Sequence, residues 1–71
     1  MNMSDKENYY RIMDIVTAAL SLAGYDPRSQ LTEYVQTGNL AYITRRNNAR
    51  QLIASLDKAE VRAYMREEGT I

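Results

Sequence analysis

No cysteine and no histidine occur anywhere in the chain. The first absence excludes disulfides, and the two together remove the side chains from which almost every structural zinc site is built. They also take away the usual nucleophile and the usual general base of enzyme catalysis. The carboxylates present suit other roles. Asp26, Asp57 and Glu60 stand where helix caps are expected, and Asp14, Glu33, Glu67 and Glu68 fall on exposed helix positions. Glycine is sparse and scattered, at Gly24, Gly38 and Gly69, so no glycine-rich loop is present to cradle a phosphate. The longest mostly apolar run, Ile15 to Ala23, falls far short of the ~20 residues that span a bilayer. The N-terminal MNMSDKENYY lacks the apolar core of a signal peptide. The expectation is a cytoplasmic protein that is not an enzyme, with no cofactor, no metal and no membrane contact.

Charge of one sign is lacking too, since nine Lys and Arg balance nine Asp and Glu. A neutral chain has no general attraction for nucleic acid and nothing to oppose self-association. The 71 residues suffice for one small domain, residues 1–71. A domain of that size buries only roughly 60% of the surface its unfolded chain exposes. With disulfides and metal excluded, a second copy of the chain is the remaining way to enlarge the core. A homodimer is therefore expected.

The hydrophobic pattern is helical throughout. Ser4 and Glu7 read as a capping box. Tyr9, Ile12, Met13, Val16, Leu20 and Ala23 then fall on one face of a helix over about Asp5 to Ala23. Ile15, Ala18, Ala19 and Leu22 widen that face beyond the needs of one small partner helix. From this surplus, Val16, Leu20 and Leu22 are expected to lie in the dimer interface. Gly24 stops the helix, and Tyr25 is placed to fold back on its last turn. Asp26-Pro27 opens a second helix, with Leu31, Tyr34 and Val35 as its apolar face, and Thr37-Gly38-Asn39 closes it. Leu40 to Thr44 is rich in strand-forming residues but has no partner strand, so it reads as a connector whose Tyr42 and Ile43 plug the core. Thr44 or Asn47 would cap a third helix bearing Ala49, Leu52, Ile53 and Leu56. Asp57 and Glu60 would cap a fourth, with Val61, Tyr64 and Met65 inward and Gly69 at its end. The fold class is all-α, about four short helices.

Two groups of residues stand out for binding. Arg45, Arg46 and Arg50 lie in a segment with no Asp or Glu between Glu33 and Asp57. Read functionally, they form an anion or partner site of guanidinium forks. Read structurally, they are solvated cations or pair with Glu33 or with a second chain. Tyr9 and Tyr10 are adjacent and cannot share one helix face, so one of them should contact something other than the core.

The stretch from Tyr25 to Ile53 resembles the signature region of the IreB-family regulatory phosphoproteins of Gram-positive bacteria. The matching positions are Tyr25, Pro27, Gln30, Leu31, Tyr34, Thr37-Gly38-Asn39, Ala41-Tyr42-Ile43, Arg45, Ala49-Arg50 and Leu52-Ile53. The resemblance implies a cytosolic helical homodimer that acts by binding a protein partner, without catalysis. It also implies a substrate of a membrane Ser/Thr kinase with penicillin-binding extracellular repeats, linked to cell-envelope stress and cephalosporin tolerance. The family's phosphoacceptors are threonines in an N-terminal arm. Here the only hydroxyl before the first helix is Ser4, which becomes the phosphorylation candidate. Leu40 and Thr44 stand where the family has or often has Pro. These departures fit a divergent paralogue that has lost the switch. The alternative, from the residues alone, is a small nucleic-acid-binding module using Arg45, Arg46 and Arg50.

Overall fold

A computed structural model describes residues 3–68, with side chains from 6–68. It contains α1 (Met3–Leu22), α2 (Pro27–Thr37), α3 (Ala49–Ala54) and α4 (Lys58–Glu67). Single 3₁₀ turns at Leu40–Tyr42 and Arg46–Asn48 occupy most of the connection between α2 and α3. No strand occurs among the described residues, in agreement with the all-α pattern. The side chain of Ser4, Gly69 and the Thr70-Ile71 tail lie outside the described ones, although the main chain of Ser4 is already helical.

The axis of the molecule is α1. At the α-helical rise its 20 residues cover about 30 Å, most of the 34 Å long dimension. The other three helices and the second 3₁₀ turn all pack on it. Met13, Val16, Ala19 and Leu20 of α1 meet Leu31, Ile43, Ile53, Val61 and Met65, none of them more than 1% exposed. Burying each of the larger side chains is worth about 1.5–3 kcal/mol. This arrangement explains the wide apolar surface of α1 without a second chain, because three helices of its own chain cover it. Val16 and Leu20 are therefore not free to form a dimer interface; both are wholly enclosed in the protomer's own core. Leu22, at 67% exposure, is the member of that trio left outside.

Local sequence explains most helix ends. Gly24 takes φ +90°, and the N–H groups of Gly24 and Tyr25 donate to the carbonyls of Ser21 and Leu20 at 3.0 and 2.9 Å. This is the paired closure of a Schellman ending. Tyr25 does not fold back as expected and remains 51% exposed. Pro27 occupies the first turn of α2, where its missing N–H has no consequence. The Asp26 carboxylate accepts from the Ser29 hydroxyl at 2.9 Å rather than from a main-chain N–H, which corrects its expected mode of capping. At α4 the expected pair forms, with the Asp57 N–H donating to Glu60 Oε1 at 3.0 Å.

Candidate functional site: the arginine connector

The connector from Gly38 to Arg50 is the least regular part of the chain, and its hydrogen bonds show how it is held. Gly38, at φ +72°, ends α2 with its N–H on the Tyr34 carbonyl at 2.7 Å. Asn39 Oδ1 accepts the Ala41 N–H at 2.9 Å and so starts the first 3₁₀ turn. Ile43 is driven fully into the core and Tyr42 packs against it half-buried, as the sequence predicts. Main-chain carbonyls that leave a helix need other donors. Gln30 Nε2 from α2 donates to the Tyr42 carbonyl at 2.9 Å, and Arg50 Nε from α3 donates to the Ile43 carbonyl at 2.6 Å.

Beyond Ile43 the chain turns outward. Thr44 Oγ1 accepts the Arg46 N–H at 3.2 Å. Asn47 (φ 55°) and Asn48 (φ 59°) then adopt successive left-handed conformations and lead into the buried Ala49. Asn47 was a candidate cap for α3; it acts as a backbone turn, and Asn48 precedes the helix without a side-chain cap. Asparagine is among the few side chains that tolerate this region. The result is a projecting corner. Arg45, Arg46, Asn47 and Asn48 are exposed on it. Arg45, Asn48, Arg50 and Gln51 line an open depression of about 270 Å³. Among the described residues the one ion pair within 4.0 Å joins Lys6 Nζ to Glu67 Oε1 at 3.2 Å. The pairing of the arginines with Glu33 weighed from the sequence does not form.

A second exposed feature lies on α1. Ile15 and Leu22 are 38% and 67% exposed, and the exposed Ala18 lies between them on the same helical face. Tyr25 lies just beyond the end of α1. Sequence periodicity placed Ile15 and Leu22 in one widened stripe with Ala19 and did not separate outward from inward members.

A third polar cluster joins α1 to α4. Tyr64 donates from its hydroxyl to Asp14 Oδ1 at 2.9 Å, and Tyr10 donates to Glu67 Oε1. The Tyr10 and Tyr64 rings meet edge to face, with centroids 5.0 Å apart. Tyr9 is in the core while Tyr10 bonds the exposed Glu67, so the two adjacent tyrosines divide between the core and a contact outside it. Burial pushes the Tyr64 hydroxyl above its ordinary pKa. The hydrogen bond to Glu67 does the same to Tyr10, and that bond, followed by Lys6, pulls Glu67 below its ordinary value.

Eight of the signature positions, Tyr25, Pro27, Gln30, Tyr34, Gly38, Tyr42, Ile43 and Ala49, can now be read one by one. Pro27 and Gly38 set backbone direction, Gln30 braces the connector, and Tyr34, Tyr42, Ile43 and Ala49 pack. Tyr25 is the large apolar side chain among them left exposed. The bracing roles of Gln30 and Arg50 had no local signal, because the carbonyls they satisfy lie 12 and 7 residues away.

Comparison with known proteins extends the resemblance beyond residues 25–53. Residues 1–67 match the family described as IreB regulatory phosphoprotein. A UPF0297 protein from Lachnoclostridium phytofermentans (strain ATCC 700394 / DSM 18823 / ISDg) is 40% identical over 50 residues, which is 70% of this chain and 57% of that relative. The alignment thus spans little more than half of the relative's length. No helix among the described residues is long and apolar enough to cross a membrane. With the match running through all four helices and the connector that its signature residues brace, the chain belongs to the IreB family.

Proposed function

We propose that this chain is a non-enzymatic regulatory protein that acts as a homodimer and through contact with a protein partner. It resembles substrates of a membrane Ser/Thr kinase of the kind linked to cell-envelope stress and cephalosporin tolerance, with the phosphorylation switch itself lost. The observation that carries the binding reading is the outward stripe of Ile15, Ala18 and Leu22 on α1, with Tyr25 just beyond its end. Apolar side chains left in water beside an otherwise closed core favour association, and tyrosine is a common anchor in such contacts. The kinase arm rests on family membership, and Ser4 in the first turn of α1 is its candidate acceptor. A phosphate there would meet the favourable end of the helix dipole.

Sedimentation tests the dimer. A species of twice 8.2 kDa is expected, and Leu22→Glu combined with Ile15→Glu should return it to 8.2 kDa. An 8.2 kDa species of the unaltered protein at on the order of tens of micromolar, where a standard-sized interface holds, would remove the homodimer. Incubation with a kinase of the penicillin-binding-repeat type, followed by intact-mass measurement, tests the other arm. An unchanged mass is expected, since Ser4 replaces the family's threonines, and one phosphate mapped to Ser4 would show that the switch is retained.

A further inference from the structure

We propose that the depression lined by Arg45, Asn48, Arg50 and Gln51 is a binding site for a phosphorylated side chain presented by a peptide segment. The inference rests on the reading of the chain as a binding protein and specifies the chemistry of what it binds. Three guanidinium groups fall within six residues of sequence, and no acidic residue occurs between Glu33 and Asp57. Arg45 and Arg46 are exposed, and none of the three takes part in an ion pair with a described residue. Arg50 is anchored by its Nε on the Ile43 carbonyl, so its guanidinium is held in place before any ligand arrives. Ordering it beforehand removes part of the entropy cost that a mobile arginine would incur on binding.

The choice of phosphoryl over carboxylate follows from charge and acceptor count. A carboxylate brings one negative charge and would leave one of the two lining arginines uncompensated. A phosphorylated side chain brings about −1.5 to −2 and three strong acceptor oxygens, which suits the two guanidinium groups that line the depression. The Asn48 and Gln51 amides that also line the depression can donate to a third oxygen or to the peptide main chain. At about 270 Å³ the depression is several times the ~30 Å³ share of a water molecule, room for a side chain rather than a lone ion. Nucleic acid fits less well. The cations occupy one corner, while the whole chain has equal numbers of positive and negative residues. A backbone of repeating phosphates is usually tracked by an extended basic groove.

The test uses the full chain and a short fluorescein-labelled peptide with a central phosphoserine among alanines and glycines. Its comparators are the unphosphorylated twin, a twin with aspartate at that position, and a short single-stranded oligonucleotide. Anisotropy should show binding of the phosphorylated peptide alone. Amide chemical-shift changes on the unaltered protein should centre on residues 44–51. The R45Q/R46Q double variant, which changes exposed side chains only, should keep its melting curve and bind about tenfold or more weakly, the loss of one charge-assisted hydrogen bond. Equal binding of the unphosphorylated or aspartate twin, no binding, shift changes elsewhere, or full affinity in the double variant would each overturn the proposal. Tighter binding of the oligonucleotide with a steep salt dependence would reassign the corner to nucleic acid. None of these outcomes alters the sedimentation of the protein, so failure here is distinct from failure of the dimeric-regulator reading.

Discussion

The rim where α4 lies along α1 and the connector between α2 and α3 are both polar, and they use polarity differently. At the rim, side chains bond to side chains: Tyr64 to Asp14, and Tyr10 and Lys6 to Glu67. In the connector, side chains bond to main chain: Gln30 to the Tyr42 carbonyl and Arg50 to the Ile43 carbonyl. If the Tyr10–Glu67 bond at the rim is lost, water can solvate the exposed groups that made it. If a connector bond is lost, a half-buried carbonyl is left without a donor, which costs more than the bond itself contributed. The connector should therefore be the more sensitive region, although it holds less regular structure.

Substitutions can break or sharpen this contrast. The largest effect is expected for Ile43→Ala, since its fully enclosed side chain joins the connector to the core. Thermal or urea unfolding should show a loss of about 2–5 kcal/mol, and a loss below 1 would show that the connector is not anchored there. Next comes Arg50→Ala, which strands the Ile43 carbonyl and should cost about 1–3 kcal/mol by the same measurement. Gly38→Ala follows at about 1 kcal/mol, because a Cβ is strained at φ +72°. It would also touch Lys58 Cε and Nζ at 3.4 Å. An unchanged melting temperature would contradict that turn.

The smallest effects belong to the rim, and pH separates its members. Tyr64 and Tyr34 have hydroxyls raised by burial above the ordinary 10.0, so their neutral forms favour the folded state. That contribution is complete below the unfolded pKa and is lost as pH rises through the folded values. Tyr64→Phe should cost about 1 kcal/mol at neutral pH and flatten the alkaline limb of melting temperature against pH. Glu67 has the opposite sign. Its lowered pKa gives a contribution that is present above the ordinary 4.5 and lost as pH falls through the folded value. Tyr10→Phe should remove most of that acid-side dependence by slightly lowering the melting temperature at neutral pH, where the contribution is present, and leaving it unchanged below the folded value. An acid limb identical to that of the unaltered protein would show that the exposed Tyr10–Glu67 bond does not persist in water.

Legibility in the sequence follows the same division. Pro27, Gly38 and the Asp57–Glu60 pair could be read because each acts on backbone at or near its own position. Ile43 could be read as core because an apolar residue in a connector has nowhere else to go. The left-handed Asn47-Asn48 pair could not, since asparagine is equally at home as a cap, and only the path into α3 decides between the two. Val16 and Leu20 were assigned outward because periodicity reports how wide an apolar face is but not how many elements cover it. Of the binding surfaces, the arginines were visible as a run without acidic neighbours. The depression they share with Asn48 and Gln51 depends on the turn that brings them together.

The central place of α1 has a consequence for how the protein is made. Its core-facing residues Met13, Val16 and Leu20 are synthesised first but are closed over in part by Val61 and Met65 of α4, near the other end of the chain. Lys58, where α4 begins, follows Leu22, where α1 ends, by 58 − 22 = 36 residues. At roughly 5–20 residues per second, that interval is about 2–7 seconds of translation. Throughout it the nascent α1 carries apolar residues on several faces with only part of its cover available. The chain is thus most prone to aggregate before it is complete, and a ribosome stalled ahead of α4 would hold it in that state.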